Sequence, residues 1–210
     1  MYLSRLLLDP RSHLVRRDLA DAHELHRTIL SAFGQAPEGV EARAHFGVLH
    51  RTEISPRRAE IAVLVLSRET PDWTKLPAGV FAAAPATKRV DETYASIRAG
   101  ATLRFRLVAN PTKAAFVPGG RGTRRAITSE DEQVAWLERQ LGRAGARMAG
   151  VALQPLPPVV LGHGTATSLT AVRFDGLLEV ADPAAFQAAL VAGIGAGKAY
   201  GMGLLTVAAG

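Results

Sequence analysis

The sequence predicts an α+β protein built from two tandem β-α-β-β-α-β domains of the ferredoxin-like (RRM-like) type. Two capping boxes, at Asp21 and Ser129, each open a segment with apolar residues along one helical face. Strand patterns flank both segments, and the same order of elements occurs twice along the chain. We therefore assign residues 1–94 to an N-terminal domain and residues 95–210 to a C-terminal domain.

The first half begins with a strand pattern and continues into an amphipathic helix. Asp21, with Glu24 three residues later, is typical of a helix start. Leu25, Ile29 and Phe33 recur every fourth residue, which places them on one buried face. The remaining elements are two strands that pair as a hairpin, a helical turn and an apolar segment. The first strand spans 2–8. The two hairpin strands span 44–51 and 60–67, the helical turn spans 72–76, and the apolar segment spans 79–84.

The second half repeats this order from residue 103. Apolar and basic residues alternate over 103–108, as in a half-buried strand. A helix follows Ser129, and Asp182-Pro183 predicts the start of another, which runs to about residue 192. Asp175-Gly176 is typical of a two-residue hairpin turn. The predicted strands are 103–108, 147–153, 167–174, 177–180 and 204–207, with a glycine-rich loop before the last.

Composition narrows the possible chemistry. The 210 residues include no cysteine, which excludes disulfides, thiolate zinc sites and cysteine nucleophiles. The N-terminus lacks the apolar region of a signal peptide, and no apolar run is long enough for a membrane span. We therefore expect a cytoplasmic protein with no membrane partner.

The positive charge is concentrated in one part of the chain. Residues 93–129 contain seven Lys or Arg and no Asp or Glu, whereas the rest of the chain is nearly neutral. Such a segment suits a nucleic-acid partner, although a solvated basic surface with no partner has the same composition.

The first predicted helix carries His23, His26 and Arg27. At 3.6 residues per turn the two histidines can address one site. Imidazole titrates near neutral pH, so such a pair could remove a proton from a ribose 2′-hydroxyl and deliver one to the leaving 5′-oxygen. The alternative is that His26 is a histidine at the edge of the core. A zinc site is not indicated, because the HExxH pattern is absent.

The segment 193–203, GIGAGKAYGMG, has glycine at every odd position except 199: Gly193, Gly195, Gly197, Gly201 and Gly203. It is not a P-loop, because Ala192 replaces the first glycine and Ala199 follows Lys198. It follows a helix and precedes a strand, the reverse of a dinucleotide-binding fingerprint. Two interpretations stay open: a loop that presents backbone N–H groups and Lys198 to phosphate, or a tight connection whose glycines permit packing.

The loop between the strand at 103 and the helix at 129 is rich in basic residues. A flexible arginine loop can contact phosphates along the major groove of an RNA stem, although it could equally be a solvated loop. Arg139 and Arg143 lie four residues apart on the following helix. The candidate RNA-binding residues are Arg27, Lys113, Arg121, Arg124, Arg125, Arg139, Arg143 and Lys198.

These features together resemble the CasE family, the CRISPR RNA-processing endoribonucleases of the type I-E Cascade complex. The resemblance runs from end to end of the chain. Its segments are MYLSRLLLDP, HELHRTI, LRFRLVANPTK, EDEQVAWLERQL, VRFDGLLEVADP and GIGAGKAYGMGLL.

The resemblance implies two ferredoxin-like domains that bind a CRISPR repeat hairpin RNA and other Cascade subunits. It implies cleavage at the base of the hairpin by 2′-hydroxyl attack, leaving a cyclic or 3′ phosphate and a 5′-hydroxyl, with no metal and no cofactor. The family's catalytic histidine falls on His26 and its glycine-rich loop on 193–203. The family often has tyrosine where this chain has His23, so the proton-transfer partner is open.

Two other functions stay possible. A catalytically silent subunit could hold guide RNA in a Cascade-type complex. An RRM-type binder of single strands is a more remote alternative, because the aromatic stacking pattern is absent and aromatic residues make up only 6% of the chain.

Overall fold

The computed structural model describes residues 1–115, 123–162 and 168–210. Its strands are β1 (Tyr2–Leu8), β2 (Leu49–Ser55), β3 (Glu60–Ser67), β4 (Phe81–Arg89), β5 (Thr102–Ala109), β6 (Thr112–Ala115), β7 (Thr123–Ala126), β8 (Ala146–Val160), β9 (Ser168–Val180) and β10 (Thr206–Ala209). Its helices are α1 (His13–Ala20), α2 (Ala22–Leu30), α3 (Ala42–Phe46), α4 (Asp91–Ala95), α5 (Glu130–Arg143) and α6 (Pro183–Ala192).

Two four-stranded antiparallel sheets form the frame. The first has the order β2-β3-β1-β4 and the second β10-β5-β9-β8, while β6 and β7 form a separate hairpin. In each sheet, the strands that come first and third along the chain lie at the centre, and those that come second and fourth lie at the edges. This shared order confirms the predicted pair of ferredoxin-like units.

Helix α2 forms as the capping pattern predicts. The Asp21 carboxylate accepts a hydrogen bond from the His23 backbone N–H at 2.9 Å, and Leu25 and Ile29 are buried on the inner face. The side chain of Glu24 pairs with arginines, among them Arg17, on the surface of the helix. The helix is therefore stabilised by one capping side chain and by the burial of its apolar face.

Three parts of the first half differ from the prediction. Helix α1 was not predicted, since its eight residues carry no capping side chain and bury only Val15 and Asp18. Residues 44–46, predicted as strand, belong to α3, which ends where Gly47 adopts a left-handed φ of 61°. The predicted turn at 72–76 is a single 3-10 turn, Trp73–Lys75.

The predicted turn at Asp175-Gly176 is wrong, because β9 continues through it without a break. Gly176 packs too closely against its neighbours for any side chain: an added Cβ would lie 2.1 Å from the Gly150 carbonyl oxygen and 2.9 Å from the Phe105 ring. Asp175 pairs with Arg173 at 2.8 Å. The glycine therefore serves close strand approach rather than chain reversal.

A buried arginine joins the two sheets. Arg51 in β2 has a side chain only 3% exposed and donates hydrogen bonds to the Leu204 carbonyl at 3.0 Å and to the Thr206 hydroxyl at 2.9 Å. Its guanidinium also pairs with Glu53 at 2.6 Å. Leu49 packs nearby against Leu204. These contacts hold the edge of the first sheet against the end of the chain.

No helix in the described ranges is long and apolar enough to span a membrane.

Candidate active site

Helix α2 meets the glycine-rich loop, so the structure brings two of the sequence-predicted features together. The 3-10 turn at Lys198–Tyr200 contacts both α2 and β2. The rings of His23 and Tyr200 lie edge to face, with centroids 4.9 Å apart. His23 is exposed and His26 is half-buried one turn further along. The histidine pair therefore faces a site formed jointly by the N- and C-terminal halves.

His26 lies in a desolvated position. Burial lowers its pKa, and the positive charge of Arg43 lowers it further, while Glu41 acts in the opposite direction. Its Nδ1 atom is buried without a hydrogen-bond partner in the described part of the chain. The Nε2 atom is then the nitrogen that can meet a substrate. A neutral imidazole at neutral pH is suited to accept a proton.

A third histidine, His50, lies next to His26. His50 in β2 is 1% exposed, and its ring is nearly parallel to that of His26, with an interplanar angle of 23° and centroids 6.1 Å apart. Burial lowers the pKa of His50 to about 3, so the ring is neutral at neutral pH. The loop residue Gly201 covers it, since a Cβ there would lie 3.5 Å from His50 Nε2.

The two cations predicted near the histidines have different environments. Lys198 donates from Nζ to the Ala192 carbonyl at the end of α6, at 2.6 Å, and burial followed by the charge of Arg43 lowers its pKa. Arg27 is exposed and paired with Glu24 on the outer surface of α2. Of these two cations, Lys198 lies in the glycine-rich loop and Arg27 lies on the exposed surface of α2.

The glycines of the loop are needed for its conformation. Gly193, Gly195, Gly197, Gly201 and Gly203 all have φ between 74° and 85°. Hydrogen bonds close the base of the loop: Ile194 N–H donates to the Gly203 carbonyl at 2.9 Å, and Gly203 N–H donates to the Val108 carbonyl at 2.8 Å. The left-handed residues thus let a short connection fold back toward α2.

Four of the eight predicted RNA-binding residues lie in a second place, a cleft of about 690 Å³. The basic side chains that line it are Lys113, Arg124, Arg139 and Arg143, together with Gly195 and Ala196 of the glycine-rich loop. Lys113 also pairs with Glu132 at 2.7 Å. Arg125 follows Arg124 on exposed strand β7, and the predicted contact Arg121 lies outside the described residues.

The glycine-rich loop links the cleft to the histidines. Its first part lines the basic cleft, whereas Tyr200 and Gly201 contact His23 and His50. The glycine-rich loop thus connects a basic cleft with the histidines, an arrangement that suits a polyanion that contacts both. Across the described ranges, no cluster of three or more His, Asp or Glu side chains could hold a metal ion.

Three residues near the histidines are not predicted from the sequence: Arg43, His50 and Tyr200. Each comes from an element distant in sequence from α2, so no local period relates it to His26. His50 had one available signal, a histidine between the apolar residues of a strand pattern. Tyr200 lay within the glycine-rich segment but was considered only as part of the loop.

Comparison with known proteins agrees with this architecture. A family model described as "CRISPR associated protein" matches residues 1–209. The CRISPR-associated endoribonuclease Cse3 of Thermus thermophilus is 37% identical over 99% of this chain and its own full length. The Cascade subunit CasE of Escherichia coli is 29% identical over 99% of both chains.

A solved structure shares the fold closely. The structure of the CRISPR endoribonuclease Cse3 bound to a 19-nucleotide RNA matches with a TM-score of 0.82 and 35% identity, over 99% of this chain and all of that one. The likeness is end to end in both sequence and structure. The chain belongs to the family of CRISPR-associated proteins.

Proposed function

We propose that this chain is a metal-independent endoribonuclease that binds the hairpin of a CRISPR repeat and cleaves precursor CRISPR RNA. One observation carries the proposal: a half-buried histidine with a lowered pKa lies beside a glycine-rich loop whose other end lines a basic cleft. Cse3, an endoribonuclease with a structure bound to RNA, is similar over the whole length.

In the proposed reaction, His26 Nε2 takes the proton of a ribose 2′-hydroxyl. The 2′-oxygen then bonds to the adjacent phosphorus, and the bond from phosphorus to the 5′-oxygen breaks. Protonated His26 then gives the departing 5′-oxygen the proton that it took, and His23, beside Tyr200, supports or shares this transfer. Lys198 neutralises charge that develops on the phosphate. The products are a cyclic phosphate, which can open to a 3′ phosphate, and a 5′-hydroxyl.

The basic cleft provides the binding energy for the hairpin stem. Arg124, Arg139 and Arg143 surround one groove, where salt-dependent contacts to phosphate position the RNA without reading its sequence. Arg125, on β7, extends this surface, and Arg121, outside the described residues, is a further proposed contact to the same RNA. Arg27, four residues after His23 on the exposed surface of α2, contributes a further phosphate contact once it releases Glu24.

We also propose the organisation and setting of the protein. The N-terminal domain, residues 1–94, carries the catalytic helix, and the C-terminal domain, residues 95–210, carries the basic cleft and the glycine-rich loop. The similarity to CasE, a Cascade subunit, supports assembly with other Cascade subunits in the cytoplasm.

The test is cleavage of labelled CRISPR repeat hairpins by the purified protein in excess EDTA. The parent should cut, and His26→Ala should cut roughly a hundredfold or more slowly while its affinity for the hairpin changes little. His13→Ala, at an exposed position outside the site, is the matched control and should cut at the parental rate.

Three outcomes would contradict the proposal in different ways. Cleavage lost in EDTA and restored by a divalent ion would require a metal mechanism. An unchanged rate in His26→Ala would remove that residue from the chemistry. Tight hairpin binding without any cleavage by the parent would favour the silent subunit that holds guide RNA.

A further inference from the structure

His26 and His50 are neighbouring rings whose buried nitrogens lack hydrogen-bond partners in the described residues. Nδ1 of His26 and both ring nitrogens of His50 are buried without hydrogen-bond partners in the ranges that the structure describes. The two rings are neighbours, with centroids 6.1 Å apart and an interplanar angle of 23°. Three such atoms in one place need an explanation, since burying unpaired polar groups costs free energy.

A purely apolar role for His50 does not explain this arrangement. β2 buries Leu49, His50 and Arg51 in succession, so both faces of the strand are covered there. Leu49 and Arg51 face the C-terminal half, while His50 lies against the ring of His26. A leucine or phenylalanine would fill the space beside α2 without the cost of desolvating two nitrogens.

The chemistry of a general base supplies a reason. To accept a proton at Nε2, a neutral histidine must carry its own proton on Nδ1, and that N–H needs an acceptor that fixes the ring. A neutral histidine offers such an acceptor in its unprotonated ring nitrogen.

The charged groups around His26 cannot take this role. Arg43 is a donor only, Glu41 already pairs with Arg43 at 3.2 Å, and the rings of His23 and Tyr200 lie together on the exposed side. Lys198 donates to the end of α6. Of the neighbours named here, His50 on β2 is the one whose ring nitrogens are buried without a partner in the described residues.

We propose that His50 is a positioning residue that accepts the Nδ1 proton of His26 and so holds the proton-accepting lone pair at Nε2 toward the RNA. This inference rests on the proposed function for its catalytic meaning, but the tautomer that it assigns is a property of the free protein.

The experiment is nitrogen NMR of ¹⁵N-histidine-labelled protein without RNA, with the His26 signals identified by their loss in His26→Ala. The parent should hold His26 as the Nδ1–H tautomer. His50→Phe, which keeps a ring but has no nitrogen, should shift His26 toward the Nε2–H tautomer that free imidazole prefers. His50→Gln offers a carbonyl acceptor in place of the imidazole and should restore the Nδ1–H form.

Single-turnover kinetics complete the test. Cleavage at the plateau of the pH profile should fall about tenfold in His50→Phe and recover in His50→Gln, with affinity for a 2′-deoxy hairpin within about twofold of the parent. An Nε2–H tautomer in the parent would overturn the inference even if no variant folded. A His50→Phe protein with the parental tautomer and rate would reduce His50 to packing.

These readouts separate the inference from the proposed function. If His26→Ala cleaves like the parent, the catalytic role of His26 fails, whereas the NMR result still decides whether His50 sets its tautomer. If cleavage depends on His26 but its tautomer does not respond to His50, the proposed function stands and the positioning role falls.

Discussion

The buried His50 should make the stability of this protein fall in mildly acidic solution. Its pKa is about 3 in the folded protein, against an ordinary value of 6.5, because its ring is removed from water. In the unfolded chain the same ring binds a proton at about pH 6.5. Between these two pH values the unfolded state therefore holds more protons, and acid favours unfolding. The stabilising effect is complete above pH 6.5 and is lost as the pH falls toward 3.

The magnitude follows from the linkage relation. Each pH unit between the two pKa values alters the free energy of unfolding by about 1.4 kcal/mol, so acidification from pH 7 to pH 5 should cost about 2 kcal/mol through His50 alone. His26, whose pKa is also lowered, adds to the loss in the same direction. The parent should therefore lose somewhat more than the His50 contribution.

Urea titrations followed by tryptophan fluorescence measure this effect, because Trp73 and Trp136 are both buried. His50→Phe should lose about 2 kcal/mol less than the parent between pH 7 and pH 5. His13→Gln, at an exposed position, should keep the parental pH dependence. Equal pH slopes for the parent and His50→Phe would refute the reasoning, because His50 would then titrate alike in both states.

Three further results are expected. His23→Ala should slow cleavage and alter its pH profile across about pH 5 to 9, whereas His23→Tyr should retain substantial activity; a parental profile for His23→Ala would make it a surface residue. Arg124→Ala with Arg125→Ala should weaken hairpin binding and lower the salt slope by roughly 0.9 for each lost phosphate contact, and an unchanged slope would contradict the RNA face. Gly203→Ala should lower the free energy of unfolding by about 1–3 kcal/mol, because φ is 85° and the added Cβ would lie 2.8 Å from the Ile194 carbonyl oxygen. Gly142→Ala, with open space around it, should not destabilise the protein, and equal stabilities of the two variants would contradict this reasoning.

The fold was predictable where the determinants are local. The capping residue Asp21 and the apolar spacing of Leu25 and Ile29 specify α2 over a few turns, and the structure has that helix. Asp182 likewise caps α6 through two backbone N–H groups. The same local logic failed at Gly176, because a glycine that allows a turn and a glycine that admits a neighbouring strand look identical in sequence.

The candidate site was predictable only in part for the same reason. The spacing of His23 and His26 follows from one helix, and the density of glycine in the loop is visible by inspection. His50 meets His26 through the packing of β2 against α2, across 24 positions of sequence, and no periodicity expresses that contact. The basic residues are visible as a group in the sequence, but their division between a cleft and an exposed strand depends on tertiary structure.

The arginine that joins the two sheets has a mechanical consequence. Arg51 gives its hydrogen-bonding capacity to carbonyl and hydroxyl acceptors of the other half and to Glu53, away from bulk water. A hinge opening between the halves would leave a guanidinium and its acceptors unpaired, which is costly in a desolvated place. The two halves are therefore held in a fixed arrangement, and in the proposed reaction the RNA rather than the protein has to change its conformation for the scissile bond to reach the histidines.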